Sequence, residues 1–154
     1  MHLTTLNISN TQIRELSVLS GMPLHELEFI DTDVKDLCPL KGMSISILKT
    51  GGSEIKDLMP LKGMEIEYLS LVDTEIEDLS ALQGMSLEYA FLDYTNVSDL
   101  TPLSGMGIGT LSVANTKISD ISPLSTVSIA GLDLSNTKIK TIAPLKGRGL
   151  SWLN

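Results

Sequence analysis

Lys49-Thr50-Gly51 is followed almost at once by Ser53-Glu54-Ile55-Lys56, and Tyr94-Thr95-Asn96 lies further along the chain. A K-T-G triplet and an S-x-x-K are two of the three parts of a serine acyl-transfer site, and Tyr94-Thr95-Asn96 could pass for the third. In such a site the lysine amine takes the proton of the serine hydroxyl as the oxygen attacks a carbonyl. That chemistry makes a geometric demand: serine and lysine must share one turn of helix, with amine and hydroxyl about 3 Å apart. The elements that carry these residues decide whether the chemistry is available.

Those elements are set by a repeat of 21 residues. Thr11, Thr32, Ser53, Thr74, Thr95, Thr116 and Thr137 form one column, and Ile13, Val34, Ile55, Ile76, Val97, Ile118 and Ile139 form another two places on. Leu19, Leu40, Leu61, Leu82, Leu103, Leu124 and Leu145 make a third, without exception. The consensus L-x-x-L-x-L-x-x-T-x-I-x-D-L-x-P-L-x-G-M-x occurs seven times between Leu3 and Gly149, and an eighth copy begins at Leu150. The whole chain, 1–154, is therefore expected to be one repeat domain, a piece of a longer protein, with repeats over 3–149 and a partial one over 150–154.

The phrase T-x-I-x-D-L-x-P-L resembles the bacterial leucine-rich repeat of internalins and related multidomain proteins, and the resemblance covers essentially the whole chain. It implies an α/β solenoid, a right-handed superhelix with a parallel sheet on the concave side and short turns or 3₁₀ segments on the convex side. It implies also that the concave side binds other proteins. The sequence departs from the commonest pattern in placing Thr where Asn normally stands; one hydroxyl replaces a carbonyl and an amide, so fewer ladder bonds to neighbouring turns are expected.

Each column has a physical reading. In "LTTLNIS", Leu6 and Ile8 alternate with Thr5, Asn7 and Ser9, the two-residue period of a strand buried on one face. Asp36, Asp57, Asp78, Asp99 and Asp120, with Glu15, precede an L-x-P-L turn and can cap its free N–H groups. Gly21, Gly42, Gly63, Gly84, Gly105 and Gly147 stand where that turn must reverse, so positive φ is expected there. Met22, Met43, Met64, Met85 and Met106 follow the glycines beside apolar columns, which reads as gap-filling core rather than a soft-metal site. With only two Phe and one Trp, that core is aliphatic.

On this frame the acyl-transfer reading fails. Lys49 and Gly51 fall on outward strand positions, Thr50 on an inward one, Ser53 in the threonine column facing its neighbours, and Lys56 on the surface beyond the strand exit. Tyr94 lies two repeats away from Ser53, about 10 Å at the spacing of parallel strands. The chain is expected to have no catalytic residues, no metal site and no cofactor. His2, His25 and Cys38 are too dispersed for a Cys-His pair, and no metal-ligand or phosphate-loop spacing occurs. Gly51-Gly52, beside Thr50 where other strands carry Ile, Phe, Leu or Val, reads as a local weakness or a place where a partner's backbone comes close.

Composition narrows the partners. The formal charge is −8, with 19 acids against 11 bases, which opposes nucleic acids and anionic membranes. Part of that charge is architectural, because the capping column supplies six of the acids. No apolar run approaches the ~18 residues of a membrane span, and the N-terminus lacks both a basic start and an apolar stretch. A single cysteine carries no signature of a redox compartment. Localisation stays open, cytoplasmic by default unless an export signal lies on a missing part.

Recognition is therefore sought in the outward strand columns. The first reads Thr5, Glu26, Ile47, Tyr68, Tyr89, Thr110, Gly131, Trp152; the second Asn7, Glu28, Lys49, Ser70, Phe91, Ser112, Asp133, Asn154; the third Ser9, Ile30, Gly51, Val72, Asp93, Ala114, Ser135. Tyr68, Tyr89 and Phe91 should form an apolar centre with Ile47 and Val72, and Glu26, Glu28, Lys49 and Asp93 a polar rim. Such a patch serves either to bind a protein partner or to stack the repeats on one another. The second leaves the chain a structural spacer between domains, about 34 Å long over seven strand intervals. A weaker reading is sugar binding by the tyrosines. The terminal repeats carry no cap, which predicts end-to-end self-association.

Overall fold

The computed structural model describes residues 3–154. Eight strands form one sheet in which every neighbour is parallel and the spatial order is the chain order. They are β1 (Thr5–Asn7), β2 (Glu26–Glu28), β3 (Ile47–Lys49), β4 (Tyr68–Ser70), β5 (Leu87–Phe91), β6 (Gly107–Ser112), β7 (Ser128–Asp133) and β8 (Trp152–Leu153). Each residue pairs with the one 21 places on: Leu6 with Leu27, Leu27 with Leu48, Leu48 with Leu69, Leu69 with Ala90, Ala90 with Leu111, Leu111 with Leu132 and Leu132 with Leu153. The sequence period has become the rung spacing of a solenoid. Equivalent side chains stack directly on one another, which is why an aliphatic residue is needed in the same place in every copy.

Between the strands the chain runs through a 3₁₀ turn in every repeat, from Ser17–Leu19 to Ala143–Leu145, and no α-helix occurs among the described residues. The helical half of the expected α/β class is thus reduced to single turns. The reason is local. A capping Asp and a Pro start the turn, and a glycine stops it within a few residues, at φ values such as 75° at Gly21 and 78° at Gly84. Repeat six tests this logic: Thr126 stands where the others have Gly, and there alone the 3₁₀ segment runs for five residues, Ser122–Thr126.

The capping column behaves as expected in five repeats. Asp36, Asp57, Asp78, Asp99 and Asp120 each accept the backbone N–H two residues on, at 2.8 Å. That hydrogen bond holds the carboxyls of Asp36, Asp99 and Asp120 below the ordinary aspartate range, with the backbone N–H the first cause at Asp36 and Asp120 and the Thr101 side chain at Asp99. Glu15, one methylene longer, makes no such bond among the described residues. In repeat seven Thr141 takes the role, its hydroxyl accepting the Ala143 N–H at 3.1 Å.

The threonine column differs from expectation. Each hydroxyl donates to the carbonyl three residues back in its own repeat: Thr32 to Phe29 at 2.9 Å, Ser53 to Thr50 at 2.6 Å, Thr74 to Leu71 at 2.7 Å, Thr95 to Leu92 at 2.7 Å. A hydroxyl on a short side chain reaches its own turn and no further, so Ser53 faces its own repeat rather than its neighbours. The links between repeats come instead from the backbone of a column the sequence reading did not single out. Asn10, Asp31, Gly52, Asp73, Tyr94 and Asn115 all have φ between 52° and 67°. Their N–H groups donate to the carbonyl of the next repeat, for example Asp31 to Gly51 at 2.8 Å and Tyr94 to Ala114 at 3.0 Å.

The core is a single aliphatic spine. Leu24, Leu27, Leu40, Leu48, Leu61, Leu69, Leu82 and Leu103 are fully buried, and Met43, Met64, Met85 and Met106 lie beside them with 8% exposure or less, as gap-fillers. Phe29 is the one aromatic inside it. No helix among the described residues is long and apolar enough to cross a membrane.

Candidate functional site

The residues of the K-T-G and S-x-x-K letters are kept apart by the coil. Thr50 is buried, Ser53 is 3% exposed with its hydroxyl given to the Thr50 carbonyl, and Lys56 lies on the surface, where its amine pairs with Glu75 at 2.9 Å. Tyr94 sits exposed at the exit of β5. Cys38 is exposed at the start of its 3₁₀ turn, and its thiol is pushed up first by a hydrogen bond to Asp36. The described residues contain no group of three or more His, Cys, Asp or Glu placed to hold a metal.

The outer face of the sheet brings other residues together. Register places Tyr68 opposite Tyr89, with Phe91 opposite Ser70 one step along the same face, and Ile47 on the far side of Tyr68. The three rings form a closed triangle: centroids are 5.6 Å apart for Tyr68 and Tyr89, 5.4 Å for Tyr68 and Phe91, and 6.5 Å for Tyr89 and Phe91. Tyr89 and Phe91 lie nearly parallel, at 9°, whereas Tyr68 is tilted against both, an arrangement that favours ring edges against ring faces. Tyr89 is 39% exposed, while Tyr68, Phe91, Ile47 and Val72 are half-buried. Val72 lies beyond β4, its carbonyl accepting the Gly52 N–H, so it flanks the exit side of the patch.

The polar rim is organised by one lysine. The Lys49 amine bonds Glu28, lies 3.6 Å from Glu26, and stands 5.5 Å from the centroid of the Tyr68 ring. The other Glu28 oxygen accepts the Asn7 amide at 2.8 Å. A continuous line of contacts thus runs across four strands, from Asn7 through Glu28 and Lys49 to Tyr68. The hydrogen bond to Glu28, reinforced by the charges of Glu28 and Glu26, holds the Lys49 amine above the ordinary lysine range although partial burial opposes it. Asp93 has a different task. One carboxylate oxygen accepts both the Ser112 hydroxyl and the Ala114 N–H, the latter at 3.0 Å, and so binds β5 to β6.

Two features lie outside the outward columns from which the site was read. At the entry of β5, the N–H groups of both Glu88 and Tyr89 donate to the Glu67 carbonyl, at 2.8 and 3.0 Å. The Glu67 and Tyr68 pair does the same to Ser46, at 2.9 and 3.0 Å. This doubled pairing breaks the inward–outward alternation and turns Glu67 and Glu88 out beside the tyrosines. Grooves of about 390 and 540 Å³ run along this entry edge, and Glu65 and Glu67 line both. The doubling recurs at His25 and Glu26 onto Thr4 and at Ser46 and Ile47 onto His25, so its signal in the sequence is the L-x-x-L spacing, with Glu as the first of the two intervening residues at 67 and 88. Trp152 stands apart from the patch: its indole lies over Gly131, where a Cβ would come within 2.4 Å of the ring nitrogen. The small residue at 131 is thus a seat for Trp152, and Gly52, in the left-handed column, is a regular turn residue rather than a weak point.

A parallel sheet with one rung per 21 residues, closed by 3₁₀ turns, defines a leucine-rich repeat solenoid. No family model matches the sequence, and no curated protein does so. Among solved structures the chain is similar to internalin C2 of Listeria monocytogenes, with a TM-score of 0.84 and 28% identity over 99% of this chain and 70% of that one. It is similar also to a second internalin of that organism, inlF, with a TM-score of 0.83 and 26% identity over 99% of this chain and 46% of that one. The chain is thus a leucine-rich repeat solenoid similar to the bacterial internalins.

Proposed function

We propose that this solenoid is a non-enzymatic protein-binding module whose partner docks on the outer, concave face of the sheet. Tyr68, Tyr89 and Phe91 form the centre, Ile47 and Val72 flank it, and Glu26, Glu28, Lys49 and Asp93 border it. The observation that carries this reading is the triangle of rings, 5.4 to 6.5 Å apart on the outward face of the sheet, with Tyr89 exposed and Tyr68 and Phe91 half-buried. Of the other exposed apolar side chains, Ile142, Trp152 and Leu153 belong to the last two rungs, whereas Val18, Met59 and Tyr94 stand singly in three different repeats. Scattered residues of that kind are ordinary, whereas clustered aromatics are what binding sites are made from. The similarity to internalins and the use of concave surfaces by repeat solenoids support the same assignment.

The test is the variant with Tyr68, Tyr89 and Phe91 all changed to Ala. A protein retained by the immobilised wild-type chain should be lost by the variant, whose thermal transition stays within a few degrees. Loss of folding with capture undiminished in the surviving protein would refute the assignment. The register, unbroken from β1 to β8, is the observation that favours the alternative of a rigid spacer; on that reading the triple variant changes nothing and shortening the array does.

A further inference from the structure

Taking the docking face just proposed as given, its charge identifies the chemistry of what docks there. Residues 1–105 carry 17 acids against 6 bases, and residues 106–154 carry 2 against 5, so the net charges are −11 and +3. The rings lie in the acidic part. Of its six bases, Arg14, Lys35 and Lys56 are paired beyond the strand exits, with Asp33, Glu54 and Glu75. Lys41 and Lys62 sit at the reversing turns, where both line the larger entry groove with Glu65 and Glu67 without pairing to either. Lys49, the base on the ring face itself, is shared between two glutamates. Glu67 and Glu88, exposed next to Tyr68 and Tyr89, have no cationic partner among the described residues.

Lys49 shows what this surface does with a cation. Its amine is held between carboxylates on one side and the Tyr68 ring on the other. The free parts of the patch offer the same two groups: the Tyr89 and Phe91 rings, the Glu67 carboxylate in the entry grooves, and the exposed Glu88 next to Tyr89 on β5. A ring face attracts a cation more strongly as water is excluded from it, and a nearby carboxylate adds charge without displacing the ring. We infer that the partner presents a basic segment, with a Lys or Arg side chain seated over Tyr89 and Phe91 and its charge met by Glu67 and Glu88. Arg is the better fit, because its planar guanidinium stacks on a ring while its edge reaches a carboxylate.

Three fluorescent peptides of equal length, alternating Ser with Arg, Glu or Leu, test this by fluorescence anisotropy at low and at physiological salt, with ring NMR signals of Tyr68, Tyr89 and Phe91 as a second readout. The Arg peptide should bind and shift the ring signals. Glu67→Gln with Glu88→Gln, or Tyr89→Ala alone, should weaken it at least fivefold. Glu15→Gln with Glu77→Gln removes the same charge away from the patch and should weaken it less than twofold. Equal losses from the two glutamine pairs, or an Arg peptide that leaves the ring signals unmoved, would overturn the inference by showing unspecific attraction to an acidic chain. If only the Leu peptide moves the rings, the basic partner is excluded while the docking face stands; if no peptide moves them and a captured protein partner does not either, both fall.

Discussion

Tyr94 is the residue at which this chain departs most from its own rule. Every other repeat places Asn, Asp or Gly in the left-handed turn that follows the strand, because short polar side chains or none tolerate φ near 55°. Tyr94 holds φ 58° while 60% exposed, with only its N–H bond to Ala114 to keep it there. Tyr94→Asn should therefore raise stability by about 1 kcal/mol, read as a higher urea midpoint at unchanged slope. A lower midpoint would mean that the ring contributes packing that its exposure hides. The column was legible in principle, since Asn10, Asp31, Gly52, Asp73, Asn115 and Asn136 are all turn formers. Two of its members disguise it: Tyr94 also opens the triplet Tyr94-Thr95-Asn96, and Gly52 also belongs to a Gly-Gly pair that reads as a weak strand end. At the patch, the outward columns identified which side chains share a face, but not the doubled pairing that brings in Glu67 and Glu88, because alternation counted along a strand cannot show where two N–H groups share one carbonyl.

The 3₁₀ turn is the element whose stability follows pH. The Asp99 carboxyl is held below its ordinary range by the Thr101 side chain and backbone N–H. A depressed carboxyl contributes stability that is complete above its unfolded value, about 3.9, and is lost as pH falls through the lower folded value. Asp99→Ala should cost about 0.5–1 kcal/mol at neutral pH, toward the lower end because the group is exposed to solvent. Urea titrations at pH 7 and pH 2.5 check this: the gap between wild type and variant should narrow sharply at the acid end, and a gap that does not depend on pH would deny the carboxylate its capping role. The strands and turns themselves could be placed from D-L-x-P-L and the following Gly, since each letter there has a single backbone reason. The threonine column was harder to foresee. A hydroxyl can bond within its turn or across to the next, and only the backbone path fixes the choice, as Thr74 and Leu71 show.

At the scale of the whole molecule the repeats are joined only to their neighbours, so the array should behave as a one-dimensional stack. Deleting residues 128–148 joins Val127 to Gly149 in register and leaves β3, β4, β5 and the Asp93 partners Ser112 and Ala114 in place. The shortened chain is expected to fold, with a lower unfolding midpoint and with partner binding unchanged within about twofold. A spacer, by contrast, would lose function when shortened by one rung, about 5 Å. Failure to fold at all would contradict the nearest-neighbour picture. Side-chain oxidation footprinting of the complex with the captured partner tests the central claim most directly, because it reads the two faces of the coil at once. Tyr68, Tyr89 and Phe91 should be strongly protected while Val18, Met59 and Ile142 on the turn side stay as reactive as in the free chain. Protection of Met59 and Val18 with Tyr89 unchanged would place the partner on the opposite face and contradict the account.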